Sequence, residues 1–161
     1  MSWTKITSLL SWRKKYSFLK PTYLDDVECR VIAGDVFQVQ YFGYSKLNKH
    51  AEGTAREILS RYSEKHRNRT GNQTLIIDSR SIALRQDRLD EPLVLFNIPI
   101  SSVKHVIYRQ RDKRYGDYCV FTVRDDVESC EGVHVMSCDS PDETSRIIQS
   151  FETAINIWSE H

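Results

Sequence analysis

With 161 residues, a formal net charge of +1, and 40% apolar and 28% charged residues, the chain fits one domain burying roughly 70% of its unfolded surface. Its overall field is too balanced to draw it to nucleic acid, and no run approaches the roughly 20 apolar residues of a membrane-spanning helix. Cys29, Cys119, Cys130 and Cys138 form no C-x-x-C pair and follow no signal peptide, so they are expected to be reduced thiols of a cytoplasmic protein, in which the triplets Asn68-Arg69-Thr70 and Asn72-Gln73-Thr74 would go unglycosylated.

Residues 1–35 mix Trp3, Trp12, Tyr16, Phe18 and Tyr23 with Arg13, Lys14 and Lys15, show no clean period and break at Pro21. They read as an N-terminal arm. Its aromatics either pack on the domain or form an interfacial segment attracted by anionic lipid. The domain proper is then residues 36–161.

Val36 to Gly43 alternates apolar residues with Gln38 and Gln40 and predicts a strand. From Ala51 to His66 apolar residues recur at helical spacing, and Glu52–Arg56 and Glu57–Arg61 are favourable i,i+4 pairs, so a helix is expected. A basic loop follows to Gln73. Strands are then expected at Thr74–Asp78 and Ser81–Arg85, joined at Ser79 and Arg80, and at Leu93–Ile98, ended by Pro99. Further strands are read at Ser101–Gln110, Tyr118–Arg124 and Val133–Cys138. Ser140-Pro141-Asp142-Glu143 then starts a closing helix: Ser140 caps, Pro141 suits the first position and Glu143 closes a capping box. Its stripe is Ile147, Ile148, Phe151, Ala154, Ile155 and Trp158. A strand, a helix, six strands and a helix imply the α+β class, a bent antiparallel sandwich or partial barrel of seven strands with one inserted and one closing helix.

Catalysis finds little support. His50, His66, His105, His134 and His161 show no metal-ligand spacing and there is no phosphate-cradling glycine loop, so no cofactor, metal or enzymatic activity is expected. His134 is expected to pack or hydrogen-bond within the last strand.

Four segments in order carry a family resemblance. Val39-Gln40-Tyr41-Phe42-Gly43 is similar to a V-x-Y-L-G first strand, with Gly53 at the start of the inserted helix. Val103 to Asp112 resembles a peptide-pairing strand ending in I-S-Y and Asp. Val133-His134-Val135-Met136 is similar to C-H-V-F, and Gln149-Ser150-Phe151 to Q-A-F. Together these resemble the phosphotyrosine-binding domain, a pleckstrin-homology-like module of adaptors of the Disabled, Numb and Shc type, over about residues 35–158. Ile98-Pro99-Ile100 and the Arg111-Asp112 ending resemble the malcavernin-type scaffolds within it.

The resemblance implies an intracellular adaptor that binds N-P-x-Y- or N-P-x-F-type receptor or scaffold tails by strand addition. It implies peptide contacts from Val106, Ile107, Tyr108, Arg109 and Gln110, and an apolar wall of Ile148, Phe151 and Ile155, with Phe151 serving as both core and wall. Where phosphate-reading relatives carry arginine and serine, this chain has Glu131 and Ile107, so phosphate-independent binding is expected. Ser81 stands where relatives place a turn glycine. Two basic groups, Arg61, Lys65, Arg67 and Arg69, then Lys104, Arg109, Arg111, Lys113 and Arg114, are either solvated surface or a phosphoinositide site at the inner face of the plasma membrane. The competing classes are therefore a peptide-binding adaptor, a phosphoinositide-binding module for which the groove is incidental, and a scaffold whose edge strand pairs with another folded protein.

Overall fold

Apolar residues at every second position make β1 (Asp35–Lys46) a half-buried strand: Phe37 and Val39 point into the core while Val36 and Gln38 face out. The computed structural model describes residues 25–48, 50–65, 73–86, 91–125, 130–138 and 140–160. Along the chain follow α2 (Ala51–Lys65), β2 (Gln73–Ile77), β3 (Ser81–Gln86), β4 (Leu93–Pro99), β5 (Val103–Asp112), β6 (Gly116–Asp125), β7 (Cys130–Ser137) and α3 (Pro141–Ser159), with α1 (Asp26–Ala33) before β1. The expected α+β architecture is the one observed, seven antiparallel strands in the order β4-β3-β2-β1-β7-β6-β5.

β1 belongs to both halves of the bent sheet. Asp35 to Val39 pair with β2, and Gln40 to Lys46 pair with β7, with an irregularity in register between Tyr41 and Gly43. Gly43 has φ +130°, a conformation that side-chain-bearing residues rarely adopt, so the turn of the strand from one half to the other depends on it. The bend leaves β4 at one end of the sheet and β5 at the other.

Alternation along β6 and β7 serves two cores. Cys119, Phe121, Val123 and Met136 face the interior of the sandwich with Phe37, Leu75, Leu84 and the α3 stripe. Tyr118, Val120, Val133 and Val135 face the other way, against Ala55, Ile58 and Leu59 of α2. The inserted helix thus covers the outer face of the β6–β7 half, and α3 covers the opening of the sandwich.

Three sequence expectations are corrected. Residues 26–33 of the expected arm form a helix: Asp25 Oδ1 accepts from Glu28 N at 2.8 Å, Gly34 ends it at φ +97°, and Val31 is fully buried. Ser101 and Ser102 belong to a 3-10 turn that begins at Ile100, itself fully buried, so β5 starts at Val103. Ser140 Oγ does accept from Glu143 N at 3.2 Å, but the Glu143 carboxylate turns to Arg146 at 2.5 Å instead of closing the box. Ser81 raises no difficulty, since Asp78 Oδ1 holds the N–H groups of Arg80 and Ser81 at 2.7 and 2.8 Å. The rest of the arm, residues 1–24, lies outside the described residues.

Asp35 joins the layers. It is 5% exposed, accepts from Ser150 Oγ of α3 at 2.5 Å, and lies 3.6 Å from Arg146 and 3.7 Å from Arg30. Arg146 also stands over the Phe37 ring at 5.2 Å. A buried carboxylate costs several kcal/mol unless hydrogen-bonded and paired, and here α1 and α3 each supply a cation. Asp35→Ala is expected to lower the unfolding free energy by about 2 kcal/mol, measured by urea denaturation; no measurable loss would mean that the clamp carries nothing.

Candidate functional site

β5 is built for one partner on each side of its ladder and shows one: among the described residues it pairs only with β6. Its side chains alternate. Val106 is 6% exposed and Tyr108 packs partly against the main core, while Ile107, Arg109 and Gln110 are exposed. Tyr108 Oη reaches Asp117 at 3.4 Å, and burial raises its pKa.

The hairpin after β5 is fixed at both ends. Asp112 accepts from Arg114 N at 2.9 Å and Tyr115 N at 3.0 Å and pairs with Arg56 of α2 at 2.5 Å; those two N–H bonds, then Arg56, hold its pKa below the usual range. Arg109 pairs with Glu52 of the same helix. Arg56 and Arg114 both stand over the Tyr115 ring, at 5.4 and 5.5 Å.

The apolar wall expected on α3 is not an exposed surface. Ile148 is 2% exposed, Phe151 0% and Ile155 9%; Phe151 meets the Phe121 ring edge-on at 6.1 Å inside the sandwich. Phe151 is thus core, and its expected second role as a groove wall is corrected. The reason is the extent of burial around α3: besides Ile147, Ile148, Phe151, Ala154 and Ile155 of the stripe, Thr144, Ser150, Glu152 and Asn156 are also buried, and of the stripe only Trp158, near the end of the helix, is exposed. Ile148, Glu152 and Asn156 follow one another at i,i+4 spacing, so a whole flank of the helix is covered.

Among the described residues the basic side chains do not form one patch. Arg111, Lys113 and Arg114 are exposed together at the β5–β6 tip, and Arg111 has φ 54° with its N–H held by Asp117 at 2.7 Å. Arg109 is committed to Glu52, and Lys104 sits at the opposite end of β5, seven residues from Arg111 and so about 23 Å away along the strand. Arg61 is exposed on α2. Arg67, Arg69 and the Lys65 side chain lie outside the described residues.

One feature was not expected from sequence. A cleft of about 400 Å³ lies between β4 and the β6–β7 pair, lined among others by Tyr44, Asn97, Ile98, Pro99, Arg124 and His134. Its floor is aromatic: the His134 ring lies 4.5 Å from Phe96 and 4.7 Å from Tyr44, and its Nδ1 is 2.8 Å from Tyr41 Oη. The usable signal was Tyr41, Tyr44 and Phe96 themselves, but cross-strand register, which brings Tyr44 opposite His134, is not written in any of them. Among the described residues no group of three or more His, Cys, Asp or Glu side chains is placed to hold a metal ion.

Burial lowers the His134 pKa from 6.5 to about 4, so the ring is neutral at physiological pH. Between those values the unfolded chain binds a proton that the folded chain refuses, so stability present above pH 6.5 is lost as pH falls toward 4, on the order of 3 kcal/mol in all. His134→Phe removes that component: urea midpoints at about pH 7 and about pH 4.5 should fall less in the variant than in the parent, and equal falls would contradict the neutral buried ring. No family model matches the chain, and no curated protein matches it.

Proposed function

We propose that the chain is an intracellular adaptor module that takes up an extended N-P-x-Y- or N-P-x-F-type tail peptide as an added antiparallel strand along β5. The observation that supports this reading is the position of β5, the terminal strand of a sheet with its outer edge unpaired among the described residues, next to the closing helix. Main-chain N–H and C=O groups of Val106 to Gln110 supply the affinity, and the exposed Ile107 and Arg109 supply choice on one face. With Ile148, Phe151 and Ile155 buried, little apolar gain is added. Four or five hydrogen bonds at a net of about 1 kcal/mol each give high-micromolar binding, about −5 kcal/mol.

Phosphate should not help. Glu131 is exposed on β7, opposite Arg124 in the ladder, and Ile107 offers no donor; an acid repels a phosphate that needs a guanidinium fork. In a fluorescence titration, plain and phosphorylated N-P-x-Y peptides should bind within a few-fold of each other. Phosphopeptide binding tighter by tenfold or more would overturn phosphate independence, and no binding of either peptide would overturn the adaptor reading.

The three exposed cations at the β5–β6 tip favour a second reading, in which the module rests on a phosphoinositide surface at the inner face of the plasma membrane. Arg111, Lys113 and Arg114 would each contribute about 1 kcal/mol near an anionic bilayer. Sedimentation with phosphoinositide vesicles at low salt should retain the protein and release the Lys113→Glu variant; equal retention of both would remove this reading.

A further inference from the structure

The two ends of the sheet are protected in opposite ways. β5 carries Lys104, Arg109 and Arg111, charges that deter a second copy of the same edge. β4 carries none. From Leu93 to Pro99 it reads LVLFNIP, and three successive large apolar side chains stand out of the surface: Leu93 is 40% exposed, Val94 61% and Leu95 37%. Because successive residues point to opposite faces, this apolar surface wraps both sides of the strand end. Among the described residues β4 pairs only with β3.

We infer that β4 is a self-association edge at which two copies of this chain join antiparallel about a two-fold axis, extending both sheets into one. The occupant follows from charge. An uncharged edge does not repel its own copy, and an isologous interface needs only that the surface be complementary to itself. Among the described residues the ends of the strand are of opposite sign: exposed Glu91 precedes it, while exposed Arg80 lies at its far end, its carbonyl accepting from Ile100 N at 2.8 Å beside the Ser81–Pro99 pair. Antiparallel pairing brings the acidic end of one copy to the basic end of the other, whereas parallel pairing sets like ends together.

The consequence is bivalency. With β4 consumed at the centre, the two β5 edges remain at the far ends of the joined sheet, so a dimer presents two strand-addition sites to clustered tails and raises their avidity without any new contact. The dimer itself does not depend on the peptide reading.

Sedimentation velocity from micromolar to millimolar protein tests the inference. The parent should pass from one mass of 18.9 kDa to twice that value and stop there, while Val94→Lys and Leu93→Lys, at exposed positions that leave the core intact, should dimerise at least tenfold more weakly with unchanged circular dichroism. Glu91→Lys should weaken the dimer a few-fold, and adding Arg80→Glu should restore it. A parent monomeric throughout, a lysine variant that dimerises as tightly, or a mass that grows without limit would each overturn the closed β4 dimer.

Discussion

The Asp35 carboxylate is the point at which the layers of this protein are held together. It lies at the start of the strand shared by both halves of the sheet, and its partners come from both flanking helices: Ser150 and Arg146 from α3, and Arg30 from α1. A carboxylate buried at that depth would be costly alone, so α3 is placed over the sandwich by an electrostatic requirement as well as by its apolar stripe. The surroundings of the β5 edge depend on that placement, because α3 is what lies beside it.

A second constraint acts from β1. The strand must serve two halves of a sheet that diverge, and Gly43 provides the backbone conformation at which it turns. Among the described residues the bent sheet ends on two strands of different character, β5 and β4. The first carries Lys104, Arg109 and Arg111 and ends in a hairpin pinned to α2 by Arg56 and Asp112; the second is apolar and carries no charged residue. A closed barrel would have neither.

Much of the architecture was legible because its elements obey strong periods. Seven strands and two helices follow from alternation in VFQVQYFG, helical spacing from Ala51 and the Ser140-Pro141 start, and each stands within a few residues of its expected bounds. The helix at 26–33 was missed because its eight residues are too short to show a period, although Asp25 and Gly34 were its start and stop signals. The site was less legible. A stripe of apolar residues cannot say which of its members also meet solvent: Phe151, expected to serve as both core and groove wall, is fully buried and meets the Phe121 ring edge-on inside the sandwich. Likewise a cluster of cations counted along the sequence ignores that a strand spaces Lys104 and Arg111 far apart, and that Glu52 engages Arg109. The cleft around His134 depends on long-range register, which no local pattern carries.

Strand addition makes a demand that no other mode of binding shares: the peptide must protect backbone groups, and only those on the outer side of the last strand. Hydrogen exchange read residue by residue, with and without an N-P-x-Y peptide, tests it most directly. Strand addition along β5 requires new protection at alternate amides between Val106 and Gln110, with none along β4. Protection confined to the His134 cleft or to the β5–β6 tip, with β5 unchanged, would contradict it.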